Sequence, residues 1–166
     1  MDDTYYLHQT PESLAKELIK LVPLEKNDIV YEPFKGEGSF YNNFPEYTNN
    51  IWTEITKGRD CEDFSGGYDW IITNPPFRKP EGAGRVNAWW YYLDKFSKIA
   101  NKGIAFLSND RCFSTLTPRR IDILNQRGFY LTHINLSSIK KWRGRYYFLI
   151  FSKKDNGSFS FYRNTF

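Results

Sequence analysis

Two short stretches of this 166-residue chain carry residue types at spacings suited to chemistry. One is Asn74-Pro75-Pro76-Phe77, directly after the hydrophobic run Trp70-Ile71-Ile72. Two consecutive prolines fix φ and remove two N–H donors, so the chain must leave a strand here in a rigid, extended form. Carbonyls in such a segment lack local partners and can accept hydrogen bonds from a substrate. Asn74 adds a side-chain acceptor and Phe77 an aromatic face. Together they form a socket for a planar group bearing an NH2, with two acceptors for the amino hydrogens and a ring for stacking. Without further context the same residues also fit an ordinary proline turn.

The other stretch is Glu32-Pro33-Phe34-Lys35-Gly36-Glu37-Gly38-Ser39, after the apolar Asp28-Ile29-Val30-Tyr31. Gly36 and Gly38 let the backbone turn tightly and approach a ligand without interference from a Cβ. Glu32 can accept hydrogen bonds or pair with an ammonium group. The spacing is not the phosphate-binding G-x-G-x-x-G, and the acidic surroundings would repel a pyrophosphate, so a cationic or zwitterionic ligand suits it better. Alone, G-x-G also fits a plain strand-to-helix turn. Further along, Glu54 closes a second strand, where a carboxylate can chelate ribose hydroxyls, and Asp60 is expected at the end of a third, short strand.

The elements that must position these residues follow from periodicity and caps. Residues 10–22 carry apolar Leu14, Leu18, Leu21 and Val22 at helical spacing, with Thr10 as the expected N-cap and Pro11 at the first helical position. Strands are expected at 28–34, 51–56, 68–74 and 103–109, and helices at about 88–100 and 119–127. Residues 78–87 read as a basic loop, and strands at 129–136 and 145–154 pair as a closing hairpin around 141–144. Alternating strands and helices, followed by two strands together, predict an α/β fold. Its expected form is a Rossmann-like, doubly wound, mostly parallel sheet with an antiparallel C-terminal hairpin, in a single domain over 1–166. In such a sheet ligands lie beyond the carboxyl ends of the strands, where both motifs stand.

At these residues the chain resembles the S-adenosylmethionine-dependent amino-methyltransferases, in particular the N6-adenine type. YEPFKGEGSF looks like the family's cofactor loop, of form (D/E)-P-F-x-G-x-G, and NPPF like its catalytic (D/N/S)-P-P-(Y/F). HQTPESLAKELIKLV is similar to the segment that precedes the loop. The resemblance implies S-adenosyl-L-methionine as cofactor and the methyltransferase sheet as fold. By position, it implies that Thr10 and Pro11 hold the methionine end, while Glu32, Pro33, Phe34, Gly36 and Gly38 line the methionine and ribose pocket. Glu54 would take the ribose hydroxyls, Asp60 the adenine amino group, and Cys61 would offer its backbone N–H. Asn74 and Pro75 would bind the target NH2, in the rigid frame of Pro76, and Phe77 would stack on the target base. No general base is needed, in keeping with the lack of a histidine near NPPF. A target within a duplex would have to be flipped out of the stack.

Charge is distributed unevenly. Residues 1–77 carry a net −8 and residues 78–166 a net +12, a split that points to a polyanionic partner for the second half. Arg78, Lys79 and Arg85 lie beside NPPF, Arg111, Arg119 and Arg120 follow the strand at 103–109, and Lys140, Lys141, Arg143 and Arg145 flank Trp142. All three groups are expected on the active-site side, where phosphate contacts would position a strand without reading its sequence, and Trp142 or Tyr146 would stack on a base. Equally, the segment around Trp142 fits a solvated hairpin with its ring on the core. Trp89 and Trp90 read as helix core, and His133 as a structural histidine in a strand.

The acidic, polar N-terminus predicts neither a secretory signal nor a transit peptide. No run of ~18 apolar residues offers a membrane span. Cys61 and Cys112 make neither a disulfide framework nor a metal pattern, so no metal and an intracellular location are expected. Only some ten residues separate NPPF from the next helix, and no segment for a target-recognition domain is evident. Recognition is then weak, or supplied by a partner subunit or a second copy, or directed at structured RNA. Nucleic acid, DNA ahead of RNA, is the expected substrate. Protein glutamine methylation and a non-catalytic, nucleic-acid-binding subunit are the other readings; the +12 half argues against the first and the intact motifs against the second.

Overall fold

The computed structural model describes residues 9–140, 142, 144–153 and 160–165. Its frame is a seven-stranded sheet made of β1 (Ile29–Glu32), β2 (Asn49–Trp52), β3 (Tyr68–Thr73), β4 (Ala100–Asn109), β5 (Tyr130–Ser138), β6 (Tyr146–Ser152) and β7 (Ser160–Thr165). The order is β2-β1-β3-β4-β6-β5-β7. β1 runs parallel to β2 and β3, and β3 parallel to β4. β6 is antiparallel to both β4 and β5, while β7 is parallel to β5.

Side-chain alternation gives the central strands β1, β3, β4 and β6 two apolar faces, as a sheet covered on both sides requires. Tyr31, Ile71, Ile104, Phe106, Leu149 and Phe151 face α2 (Ala88–Phe96), which buries Trp89, Trp90, Leu93 and Phe96 against them, and α4 (Pro118–Gln126), which adds Leu124. Val30, Trp70, Ile72, Ala105, Phe148 and Ile150 face α1 (Glu12–Ile19). Leu14, Leu18 and Ala15 of α1 are fully buried there. Each such leucine contributes about 1.5–3 kcal/mol by leaving water, which holds an eight-residue helix too short to persist alone. A four-residue helix α3 (Asp110–Phe113), absent from the expected elements, follows β4. No helix among the described residues is long and apolar enough to cross a membrane.

Several expectations need correction. β5 and β6 pair antiparallel as the expected hairpin, but they do not close the sheet: β6 enters between β4 and β5, and β7 then adds a parallel edge strand beyond β5. α2 stops at Phe96, with Ser97 as its C-cap, and β4 begins at Ala100, earlier than expected, because residues 100–103 pair along β3 and β6. β2 ends at Trp52, so Glu54 lies beyond the strand as the N-cap of a 3-10 turn over Ile55–Lys57. Asp60 caps another such turn, Cys61–Asp63, where a third strand end was expected. No α-helix joins β1 to β2 or β2 to β3; short 3-10 turns make both connections.

Candidate functional site

Strand order places a crevice between the ends of β1 and β3, because β2 lies on one side of β1 and β3 on the other. Such a reversal leaves room beyond the strand ends for a ligand. A cavity of about 610 Å³ occupies this place. Of the residues expected to hold a cofactor, Thr10, Glu32, Pro33, Phe34, Gly36, Glu54, Asp60, Cys61 and Asn74 line it, and so do Pro75, Pro76 and Phe77. Thr10 and Asn74, 64 positions apart in sequence, are joined in its wall by the bond from Asn74 Nδ2 to Thr10 Oγ1 at 3.3 Å.

The floor is built from the ends of β1 and β2. Thr53, fully buried, donates its Oγ1–H to the Pro33 carbonyl at 2.8 Å and lies 2.7 Å from the Tyr31 hydroxyl. Its N–H bonds the Glu32 carbonyl, and the Lys35 N–H bonds the Thr53 carbonyl, both at 3.0 Å. The chain then turns through Gly36 (φ +52°), whose N–H donates to Glu54 Oε2 at 2.7 Å. A Cβ at Gly36 would meet the Gln9 amide at 2.8 Å, and one at Gly38 (φ +91°) the Asn42 amide at 2.9 Å, so a side chain at either would displace an amide and strain a left-handed backbone. Glu54 also accepts from the Thr56 N–H and hydroxyl at 3.1 and 2.8 Å. Its carboxylate therefore ties the glycine turn to the β2 exit.

Glu32 is the electrostatic centre of the site. Only 2% exposed, it accepts the Tyr41 N–H at 2.7 Å. Burial pushes its carboxyl well above the usual carboxylate range; the Tyr41 N–H and Lys35 pull it back, and Glu54 adds to the rise. A buried carboxylate so weakly compensated favours a cation arriving in the cavity. Cys61 is also buried, and burial pushes its thiol up to about 12, so it is inert as a nucleophile.

The exit from β3 brings Asn74-Pro75-Pro76-Phe77 to the same cavity as Glu32. Pro75 is buried, whereas Phe77 stands 52% exposed at the mouth. Thr10 is not the helix cap, a place taken by Pro11 without a side-chain bond; its hydroxyl serves Asn74 instead. Pro11 and Gly38 do not line the cavity. Sequence reasoning missed Gln9, Lys35, Ser39, Phe40, Ile55, Pro80 and Tyr92 among its walls. Lys35 and Ser39 lie within the glycine-containing stretch and Gln9 next to Thr10, so these were open to that inference; Tyr92 was not, because only packing of α2 sets its ring 4.6 Å from Phe34.

The basic residues divide. Arg78 and Lys79 line the same cavity, and Arg111 and Arg145 line a groove next to it. Lys79 Nζ donates to the Gly84 carbonyl. Arg85, Arg119 and Lys140 are exposed but line neither space. Arg120 is engaged within the fold, bonding the Thr115 carbonyl at 2.7 Å and lying 4.9 Å from the Trp90 ring. Trp142 is half-buried with its ring 4.6 Å from Tyr146 and lines neither space, as the hairpin-on-core alternative expects. Lys141 and Arg143 lie outside the described residues. Parallel β4 and β5 end, and antiparallel β6 begins, at the edge where β3 ends, so residues 109–111, 138–140 and 144–146 do share the NPPF side.

No protein-family model matches the sequence, and no curated protein matches it either. Solved structures do resemble the chain. A Listeria monocytogenes protein assigned to the class I S-adenosylmethionine-dependent methyltransferases aligns with TM-score 0.70 and 13% identity, over 96% of this chain and 66% of that one. The M protein of the type I restriction enzyme EcoKI aligns with TM-score 0.67 and 14% identity, over 95% of this chain and 48% of its own. A Pyrococcus horikoshii protein assigned as an RNA methyltransferase aligns with TM-score 0.64 and 22% identity, over 89% of this chain and 88% of its own. The chain thus spans about half to two thirds of the first two and most of the third. At these identities the likeness is one of fold: the chain has the Rossmann-like α/β fold of the class I S-adenosylmethionine-dependent methyltransferases.

Proposed function

We propose that this protein transfers a methyl group from S-adenosyl-L-methionine to the exocyclic N6 amino group of adenine in nucleic acid, with DNA ahead of RNA. The observation that carries the reading is that Asn74-Pro75-Pro76-Phe77 and the carboxylates Glu32, Glu54 and Asp60 line one cavity. The cofactor fits the residues present. Its ammonium group would meet the weakly compensated Glu32, its ribose Glu54, and its adenine Asp60 and the Cys61 N–H. When bound it supplies a methyl group on a sulfonium.

The chain's own residues would do the rest. An adenine amino nitrogen is a poor nucleophile because its lone pair is delocalised into the ring. Accepting both hydrogens, at Asn74 Oδ1 and the Pro75 carbonyl, favours the tetrahedral nitrogen whose lone pair is free to attack. The bond from Asn74 Nδ2 to Thr10 orients the amide so that Oδ1 takes the acceptor's part. Phe77 would hold the ring in line, and that alignment supplies much of the rate. Displacement leaves a proton on the nitrogen, which passes to water. A partner subunit or second copy would contribute to target choice.

RNA is the second reading, favoured by the likeness to the Pyrococcus protein, which is assigned to RNA and matched over most of both chains. The deciding experiment incubates the protein with labelled cofactor and DNA, RNA and protein pools, then digests each to identify the modified unit. Label in N6-methyladenine from DNA supports the proposal and label from RNA the second reading. Label in methylglutamine, or none, overturns both.

A further inference from the structure

Phe77 is shared by two spaces. Beyond it lies a second groove of about 570 Å³, walled by three turns at the same sheet edge. Asn87 comes from the start of α2, Asn109, Asp110 and Arg111 from the passage of β4 into α3, and Arg145 from the start of β6. The two asparagines are fixed in a particular sense. Asn87 Oδ1 accepts the Trp89 and Trp90 N–H groups at 2.8 and 3.4 Å, and Asn109 Oδ1 accepts the Cys112 N–H at 2.9 Å. With each oxygen turned onto a helix, each NH2 remains a donor at the groove.

Two guanidinium groups join them. Arg111 is exposed, and Arg145 has 70% of its side chain exposed. The groove's carboxylate, Asp110, would repel an anion if it stood alone. It accepts the Tyr147 hydroxyl at 3.0 Å and lies 3.7 Å from Arg145 Nε, an exposed pair that offsets part of its charge and leaves Arg111 and the two amides as the groove's other donors. What remains is a donor-rich hollow with an aromatic wall, chemistry matched to a phosphate beside a base.

We propose that this groove is a phosphodiester subsite, holding the phosphate of a nucleotide next to the base presented at Asn74–Phe77. Arg111, Arg145, Asn87 and Asn109 donate to its oxygens. The inference rests on the reading of nucleic acid as substrate and adds to it the place where the backbone is held. A base stacked on Phe77 brings its flanking phosphates within one nucleotide of the groove. Charged and amide donors to a phosphate fix register without selecting sequence.

The test is methyl-transfer kinetics on adenine-containing DNA and RNA oligonucleotides in which one phosphate at a time near the target is replaced by a neutral methylphosphonate. Wild type is compared with Arg111→Ala, Arg145→Ala and Asn109→Asp. The last keeps the oxygen that caps α3 while exchanging the NH2 donor for an anionic oxygen, so the fold is retained. Each variant is expected to raise KM about fivefold with kcat within about twofold. The arginine variants should also make the salt slope of binding shallower by roughly 0.7–0.9. At one methylphosphonate position the variant's penalty should vanish, because the partner it lost is already gone. Penalties undiminished at every position, or a fall in kcat with KM unchanged, overturn the subsite while adenine methylation by the wild type stands. A wild type that methylates protein and no nucleic acid overturns the reading and the subsite together.

Discussion

Glu32→Gln should make the ligand-free protein more stable and weaken its hold on a cationic ligand. The exchange preserves size and leaves an oxygen for the Tyr41 N–H, which now sits 2.7 Å from Oε2, so packing and that bond survive. What disappears is a carboxylate only 2% exposed, whose pKa burial raises well above the usual range. The sign follows from linkage. A group with a folded pKa above its unfolded one contributes stability at low pH that is lost as pH climbs through the folded value. Wild type should therefore lose stability, relative to the glutamine variant, from the ordinary carboxylate range up to Glu32's raised pKa, and level off above it. Relieving such a site residue is worth about 0.5–2 kcal/mol. For a domain of this size each kcal/mol moves Tm by about 2–4 °C. Thermal melts from pH 4 to 9 should show two curves that nearly coincide in acid and separate at alkaline pH, with the variant higher. Calorimetric titration should show S-adenosylmethionine binding about tenfold to a hundredfold more weakly to the variant, the loss of one charge-assisted hydrogen bond. At pH values below Glu32's raised pKa, wild-type binding should also release a proton, seen by comparing two buffers of different ionisation enthalpy, and the variant should not. A variant no more stable than wild type at pH 8 refutes the burial argument. Unchanged affinity refutes the assignment of Glu32 to the cation.

Three further outcomes are expected. Asn74→Ala should lower methyl transfer about 10²–10³-fold with cofactor affinity within a few fold, and cost about 1 kcal/mol for the lost bond to Thr10; unchanged turnover removes the proposed active site. Gly103→Ala should destabilise the fold by about 1–3 kcal/mol, because a Cβ there would collide with the Trp70 ring, and a melt at the wild-type temperature would contradict that packing. Cys61, its thiol raised to about 12 by burial, should resist alkylation at pH 8 in the native protein and react only in denaturant; rapid native labelling at Cys61 would show that the cavity wall opens.

By itself the sequence determined the α/β class, the apolar strands and the local character of both motifs. These are near-neighbour properties: two prolines fix their own φ, glycines admit the turn at 36–38, and period-two apolar runs make strands. It could not determine where Thr10 would spend its hydroxyl, because capping and bonding to Asn74 compete and only the packed position of α1 decides between them. Nor could it place Glu54 and Asp60 on turns beyond the strands, since strand ends are set by ladder partners in other segments. The parallel edge strand β7 depends wholly on pairing with β5. Charge showed the same boundary. The basic half was plain in the composition, yet only tertiary structure sorted its arginines. Arg120 is turned inward onto Trp90, while Arg111 and Arg145, 34 positions apart, line one groove. Local chemistry is written in neighbouring residues; a site also needs distances, and those arise only when distant strands share a sheet.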